Sequence, residues 1–526
     1  MDSVASCLDS DGELDPSLYF RMIEDEESNS KKRRKKHNHA SLLACKRLHK
    51  RIISSSSRKR KRNRSVQKNK IQYIDEDGKI FTLTPKKTVW YCWYVANGKH
   101  LKPGELAKFR RRFRLPYDQY VELLNELETS DHFKRWRKGN TDRCGKEASP
   151  LSLLLLGALR YLGRGWTFDD IEEATAISEE THRQFFHTFI HYGSTVLFDK
   201  YVLTPALKDD AGIHIHEFDL AGFPGCVSST DATHIAMDCC AHKLRHIHKG
   251  FKLNLPSRTC NLSCNHRRRI LFTTSGHPAS WNDKTLQRFD NFMTGIYSGK
   301  LLNDVIFELY DKNEKGETIK VQYKGAWQLV DNGYINWSTA IPPSKNATNI
   351  ADVRWSKWVE SMRKDVECTF GILKTRWRIL RSPIRMKSVD DVDRVWKTCC
   401  ALHNWLLEID GRDHKYGGDA QYGSNSFSEL TEEDIPVPVQ RLNLDELNRL
   451  DYSGVGVGSD MITNGDEDNG GDQQVQGGAS VNILGTNIVR KLSQATFREK
   501  LIQHFDIKFK SQNVSWPRST KKRRTT

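Results

Sequence analysis

At 526 residues, 37% hydrophobic and 10% aromatic, the chain has apolar material for two or three folded domains. No apolar run reaches the roughly 18 residues of a membrane span, the acidic N-terminus is unlike a signal or transit peptide, and the twelve cysteines lack small-domain spacing. Membrane, secreted and disulfide-framed classes are thereby excluded, and a soluble intracellular chain with reduced thiols is expected.

The net charge of +17 is unevenly placed: −8 over residues 1–30, +18 over 31–70, +10 over 71–407, −12 over 408–480 and +9 over 490–526. Polyanionic partners are therefore expected for the core as well as the tails. Residues 1–70 are polar and aperiodic and read as a disordered basic N-terminal tail. Within it, KKRRKK (31–36) and RKRKR (58–62) resemble nuclear localisation signals, so the nucleus is the expected location. Residues 71–108 read as a small β-element or linker, with strands at 73–75, 79–84 and 88–95 around the Asp77-Gly78 turn.

Residues 109–200 form an expected all-α, helix-turn-helix-like region. Its helices are placed at 151–162, 167–174 and 178–191, with Thr167 and Ser178 as N-caps. In a helix-turn-helix the last of these is the recognition helix, and Thr181, Arg183, Gln184 and His187 are its candidate DNA contacts. The competing reading is a helical bundle that supports the next domain, and Glu179 and Glu180 at the helix start disfavour close phosphate approach.

Residues 215–407 carry the candidate chemistry. A strand at 226–230 runs into Asp231; 270–274 reads as the second strand, antiparallel to the first; 327–330 reads as a later parallel strand ending on Asp331, where Asn332-Gly333 turns the chain. From Trp355 the apolar residues Val359, Met362, Val366, Phe370, Leu373 and Trp377 fall at helical spacing. Arg363, Glu367, Gly371 and Lys374 share the adjacent helix face. Thirty-five residues separate Asp331 from Glu367, and two strand-borne aspartates with one helical glutamate make an oxygen-only donor set suited to Mg²⁺, with Mn²⁺ as a substitute. The Cys239–His266 stretch is rich in Cys and His, but its spacing matches no closed zinc pattern, so these residues read as packing and phosphate-facing groups. His234 reads as core or as pointing to the acids, with core the commoner fate. Residues 292–325 look like an insertion containing a hairpin turned at 313–316, a helix at 390–407 closes the domain, and 408–526 reads as a Gly/acidic linker and basic C-terminal tail with a short helix at 496–509.

The blocks STDATHI around Asp231, HKGFKLN from His248, GHPASWNDKTL from Gly276, LVDNGY around Asp331 and VECTFGILKTRWRIL from Val366 occur in the order found in PIF/Harbinger-type DNA transposases, and the chain resembles that family over roughly 109–407. The resemblance implies an α/β fold, an RNase H-like mixed sheet flanked by helices, with a D-D-E triad on Asp231, Asp331 and Glu367 as catalytic and metal-binding residues. Asp283, in the GHPASWNDKTL block, either supports that site or caps the helix that follows it. Arg363 and Lys374 are the supporting cations. The implied function is a metal-dependent DNA endonuclease and strand transferase. Its partners are DNA, a Myb-like DNA-binding protein and, as a further option, a second copy in a homo-oligomer. The competing class is a domesticated, non-catalytic DNA- or chromatin-binding nuclear protein.

Overall fold

The computed structural model describes residues 72–74, 80–139, 148–250, 252–345, 347, 349–411, 487–511 and 514. The tail of 1–70 with its two basic runs, most of the 408–526 linker and the final KKRR lie outside the described residues.

Gln72–Ile74 (β1) and Ile80–Thr82 (β2) pair antiparallel, as the Asp77-Gly78 turn implies. The third strand expected there, 88–95, is instead helical, with a wide helical turn at Tyr91–Ala96. Its period explains why: Trp90 and Tyr94, four apart, are both buried and meet Phe113 and Phe109, each pair at ring centroids 5.1 Å apart. Phe109 and Phe113 belong to Pro103–Phe113 (α1), which Tyr117–Thr129 (α2) follows.

The three expected helices are present as Leu151–Arg164 (α3), Phe168–Thr175 (α4) and Glu179–Tyr192 (α5). Thr167 caps α4 through a capping box, its hydroxyl accepting from the Asp170 amide at 3.1 Å. Ser178 stands at the N-cap of α5 but makes no such bond; its hydroxyl meets that of Thr181 at 2.8 Å. These helices form no separate bundle. Leu153, Leu156, Phe186 and Phe189 share one core with Ile235, Leu262 and Ile270 of the sheet and with Trp396 and Leu402.

Lys208–Leu220 (α6) leads into the sheet, whose path runs Ala340–Ile341 (β9), Trp327–Leu329 (β8), Cys226–Ala236 (β3), Ser257–Cys264 (β4) and Ile270–Thr273 (β5), with His277–Pro278 also on β4. β3, β4 and β5 are successive antiparallel neighbours, while β8 is parallel to β3 and β9 parallel to β8. The expectation that 270–274 pairs with the first strand is therefore corrected: β4 lies between them. β4 reads SRTCNLSC, has no apolar alternation, and is buried almost throughout. Several of its polar groups bond to neighbouring polar side chains, as where Thr230 and Ser263 hydroxyls meet at 2.7 Å, so the alternation that marks a half-exposed strand never arises.

The turn from β4 to β5 holds four consecutive buried basic residues, His266 to Arg269. His266 Nδ1 is 2.7 Å from Asp365, Arg268 is 3.3 Å from the same carboxylate, Arg267 pairs with Glu217 of α6, and Arg269 lies 2.8 Å from Glu408.

Beyond Asp283–Arg288 (α7) and Asn291–Ser298 (α8), the hairpin Ile306–Lys312 (β6) and Thr318–Lys324 (β7) turns at Gly316, whose φ of 78 favours glycine. Ile350–Arg376 (α9) starts earlier than its apolar stripe, because Asn349 caps it by accepting from the Asp352 amide. Val389–Ile409 (α10) covers β4 and β5. The segment expected as tail is corrected in part. Asn487–Ile488 (β10) pairs parallel with β7, and Gln494–Lys510 (α11) buries Phe497, Leu501 and Phe505 in one cluster with Trp327, Trp355, Val359 and Met362.

Candidate acid site

Parallel pairing fixes the first two acids. The β3–β8 ladder ends at Ser229 opposite Leu329, and Asp231 and Asp331 each lie two residues further along. Two residues restore the same face of a strand, so the two aspartates project from neighbouring strands on one side. The charge of Asp331 is felt at Asp231. Asp231 has its pKa raised to about 6, chiefly by burial and further by Asp331, against the Ala232 amide, Arg363 and Lys252.

Asp283 joins this pair. A Cβ built on Gly333 would lie 2.7 Å from Asp283 Oδ2 and 2.9 Å from Asp331 Oδ1, so both carboxylates converge on a place only glycine leaves open. The Gly333 amide also donates to Asp331 Oδ1. Burial, and then Asp331, raise the Asp283 pKa, with Lys252 opposing. Asn282, not Asp283, caps α7, its side chain accepting from Thr285 at 2.8 Å. Of the two roles open to Asp283, the capping one is thus taken by its neighbour.

The helical side of the site is anchored at two points. Arg363 stands 3.8 Å from Asp231 Oδ2, with the pair 13% and 21% exposed, and the Arg363 Nε–H is buried with no acceptor among the described residues. Lys374 donates to Thr233 Oγ1 at 2.9 Å, and its pKa is lowered by burial. Glu367, one turn past Arg363 and two before Lys374, lies between these anchors, yet it is exposed and makes no ion pair among the described residues. Among the described residues, no three His, Cys, Asp or Glu side chains are gathered closely enough to hold a metal ion. Asp331 neighbours Asp231 on one side and Asp283 on the other, while Glu367 stands apart.

The donor chemistry nevertheless suits a hard divalent cation. Asp231, Asp331 and Asp283 offer only carboxylate oxygen, the charge of Asp331 raises the proton affinity of the other two, and the space at Gly333 is kept clear between Asp331 and Asp283. His234 supplies nothing to this set: its Nδ1 bonds Thr259 Oγ1 at 3.0 Å, and burial, with Lys252 and Lys374, lowers its pKa to about 4.

Two residues near the acids have no role in the sequence reading. Lys252, in HKGFKLN, is the cation felt by Asp231, Asp283 and His234 alike. Tyr334, three residues past Asp331, is buried beside the acids, which push its pKa further up, and donates to Asn261 Oδ1 at 3.2 Å. The signal for both was their membership of short blocks dense in polar residues.

The four candidate DNA contacts on α5 are engaged within the protein. Arg183 pairs with Glu179 and Glu180, Gln184 donates to Glu180 at 2.9 Å, Thr181 meets Ser178, and His187 lies 3.3 Å from Asp391 of α10.

The DDE superfamily endonuclease family matches residues 230–404, a span that opens one residue before Asp231 and contains Asp331 and Glu367. The chain is also similar to Protein ALP1-like of Arabidopsis thaliana, 24% identical over 271 residues, 50% of this chain and 62% of that relative. It thus spans about 62% of the length of the curated relative it matches. No solved structure matches it. The matched span takes in most of the sheet, the paired aspartates and the helix that carries the glutamate, so it is residues 230–404 that are similar to the DDE superfamily endonucleases.

Proposed function

We propose that the protein is a divalent-metal-dependent DNA endonuclease and strand transferase of the Harbinger transposase type, acting in the nucleus, with Asp231, Asp331 and Glu367 as its metal-binding acids. The carrying observation is the register of β3 and β8, which supports a shared role for Asp231 and Asp331 on one side of the sheet. The strand path, three successive antiparallel strands with two parallel ones joined to the first, supports an RNase H-like reading of the fold. Mg²⁺ held at these carboxylates would supply charge neutralisation and Lewis acidity at a scissile phosphate.

The chain's own residues prepare for that substrate. Asp283 buttresses Asp331 across Gly333, Arg363 orients Asp231 and keeps an open N–H beside it, and Lys252 adds a positive charge that a phosphate can meet. A Myb-like DNA-binding partner, the family's usual means of finding the transposon ends, is part of this reading, with self-association as a further option.

Nicking of a labelled duplex by the purified chain, with Mg²⁺ or Mn²⁺ titrated in, tests it. Asp331→Asn and Glu367→Gln should each remove nearly all cleavage while leaving DNA binding, and the double variant should be little worse than either, since the acids act as a unit. Asp283→Asn should keep a measurable fraction. A wild-type chain that nicks nothing with either metal, even alongside a partner protein, overturns the enzyme. The second reading, a non-catalytic DNA-binding protein, is favoured by the Arg363–Asp231 pair and the separate position of Glu367, and would then stand.

A further inference from the structure

A basic hollow lies along the C-terminal half of α9. It has a cavity volume of about 820 Å³ and is lined by Arg110, Arg111 and Arg114 of α1, Arg268 of the β4–β5 turn, and Arg376 and Gly371 of α9. No acidic side chain lines it, although Arg110 pairs with Asp410 at 2.5 Å and Arg268 with Asp365. The positive charge continues past its rim. Arg114 packs over Gly163 and donates to that carbonyl at 3.3 Å, and Arg378 reaches the end of α3 at Gly165. Burial, then Arg164 and Arg378, hold Arg114 below the usual guanidinium range; burial, then Arg164 and Arg112, lower Arg160 to about 10. Guanidinium groups crowded together in this way are stabilised by a polyanion.

We propose that this arginine groove is a binding track for the phosphodiester backbone of duplex DNA, carrying the substrate along α9. It rests on the reading of the acid site as a DNA nuclease. Three observations choose the occupant. Gly371 lines the groove and follows Glu367 by one helical turn, so the track is continuous with the helix that carries the third acid. The planar guanidinium fork matches phosphate oxygens two at a time. The remaining lining residues are Ala107, Cys368, Ile372, Thr375 and Leu406, with no aromatic ring on which unpaired bases could stack, so a backbone-following duplex fits better than a single strand. It also accounts for the self-engaged residues of α5, since DNA contact is then made by α1 and α9.

Gly371 gives a test that separates charge from folding. It is exposed, and a Cβ built there meets nothing within 4 Å, so any side chain can be placed on the groove floor. Replacing a mid-helix glycine also favours the helix. The full chain carrying Gly371→Glu or Gly371→Lys is titrated with random-sequence duplex without metal, at several salt concentrations. Gly371→Glu should weaken binding and Gly371→Lys should tighten it. Arg111→Gln with Arg164→Gln and Arg378→Gln should flatten the log–log salt dependence by about 0.9 for each phosphate no longer neutralised. Equal effects of Glu and Lys, an unchanged slope in the triple variant, or single-stranded RNA bound in preference to duplex would each overturn the groove. Binding is read without cleavage, so a chain that nicks nothing yet shows these shifts loses the nuclease and keeps the groove. One that nicks but shows none of them does the reverse.

Discussion

Asp231, with its pKa raised to about 6, still holds a proton in weakly acidic solution, whereas the unfolded chain releases it near about 4. Between those values the folded state binds more protons, so stability falls as pH rises through the window from about 4 to about 6 and stays reduced above it. Asp231→Asn should therefore raise stability at neutral pH by at most about 3 kcal/mol and change it little below about pH 4, which urea melts at the two pH values will show. Asp290, likewise raised to about 6, keeps its share of the slope in the variant. The same penalty is what a cation at these oxygens relieves. The placement of Asp331, the neighbour of Asp231, was legible beforehand: an Asp after an apolar strand run, followed by Asn-Gly, marks a residue delivered to a strand end. That Gly333 leaves room for Asp283 beside Asp331 was not, because the convergence depends on where a separate loop lies.

At the level of elements, α9 is held at both ends of its working face, by Arg363 and Lys374 on β3, while its N-terminal half rests on α11. Arg354 lies 2.9 Å from Asp506 and sits over the Phe509 ring, and Trp358 packs against Phe505 at 5.5 Å. Phe505 is fully buried, so Phe505→Ala should cost about 3–5 kcal/mol, measured by chemical denaturation, and cut nicking to the extent that the unsupported helix displaces Glu367. The helix itself was readable from its stripe of Trp355, Val359, Met362 and Val366. Its partner was not: α11 showed periodicity, but nothing local says that a helix so distant in sequence packs here. β4 stayed hidden for the opposite reason, since polar side chains bonded to one another carry no periodic apolar signal. Residues 88–95 misled through aromatic content, which suits strands, although the spacing of Trp90 and Tyr94 already had the helical period.

Across the whole molecule, the helices of 109–200 and the sheet share a core, and the buried basic turn after β4 ties that core to α6, α9 and α10 at once. Breaking one buried pair leaves its partner's charge stranded, so this turn couples the site's helix to the rest of the fold. The basic groove and the acid site then both border one helix, so positive charge that composition reveals only as a sum becomes localised.

The docking of α11 also bears on where this protein can be cut and rejoined. A polypeptide stopped at residue 411 would include the entire family match and still leave Phe223, Phe307 and Trp327 without the aromatic side chains that cover them. Yet the contacts α11 makes are those of a ligand: an apolar stripe, the Gln494 amide on the Ala340 carbonyl at 2.6 Å, and the Tyr310 amide on His504 Nδ1 at 2.8 Å. None of them requires covalent continuity. Co-expressing residues 71–411 with a separate chain of residues 487–526 should restore a soluble complex that co-purifies, while 71–411 alone aggregates. Recovery of well-behaved 71–411 without its companion would mean that α11 is dispensable to the fold.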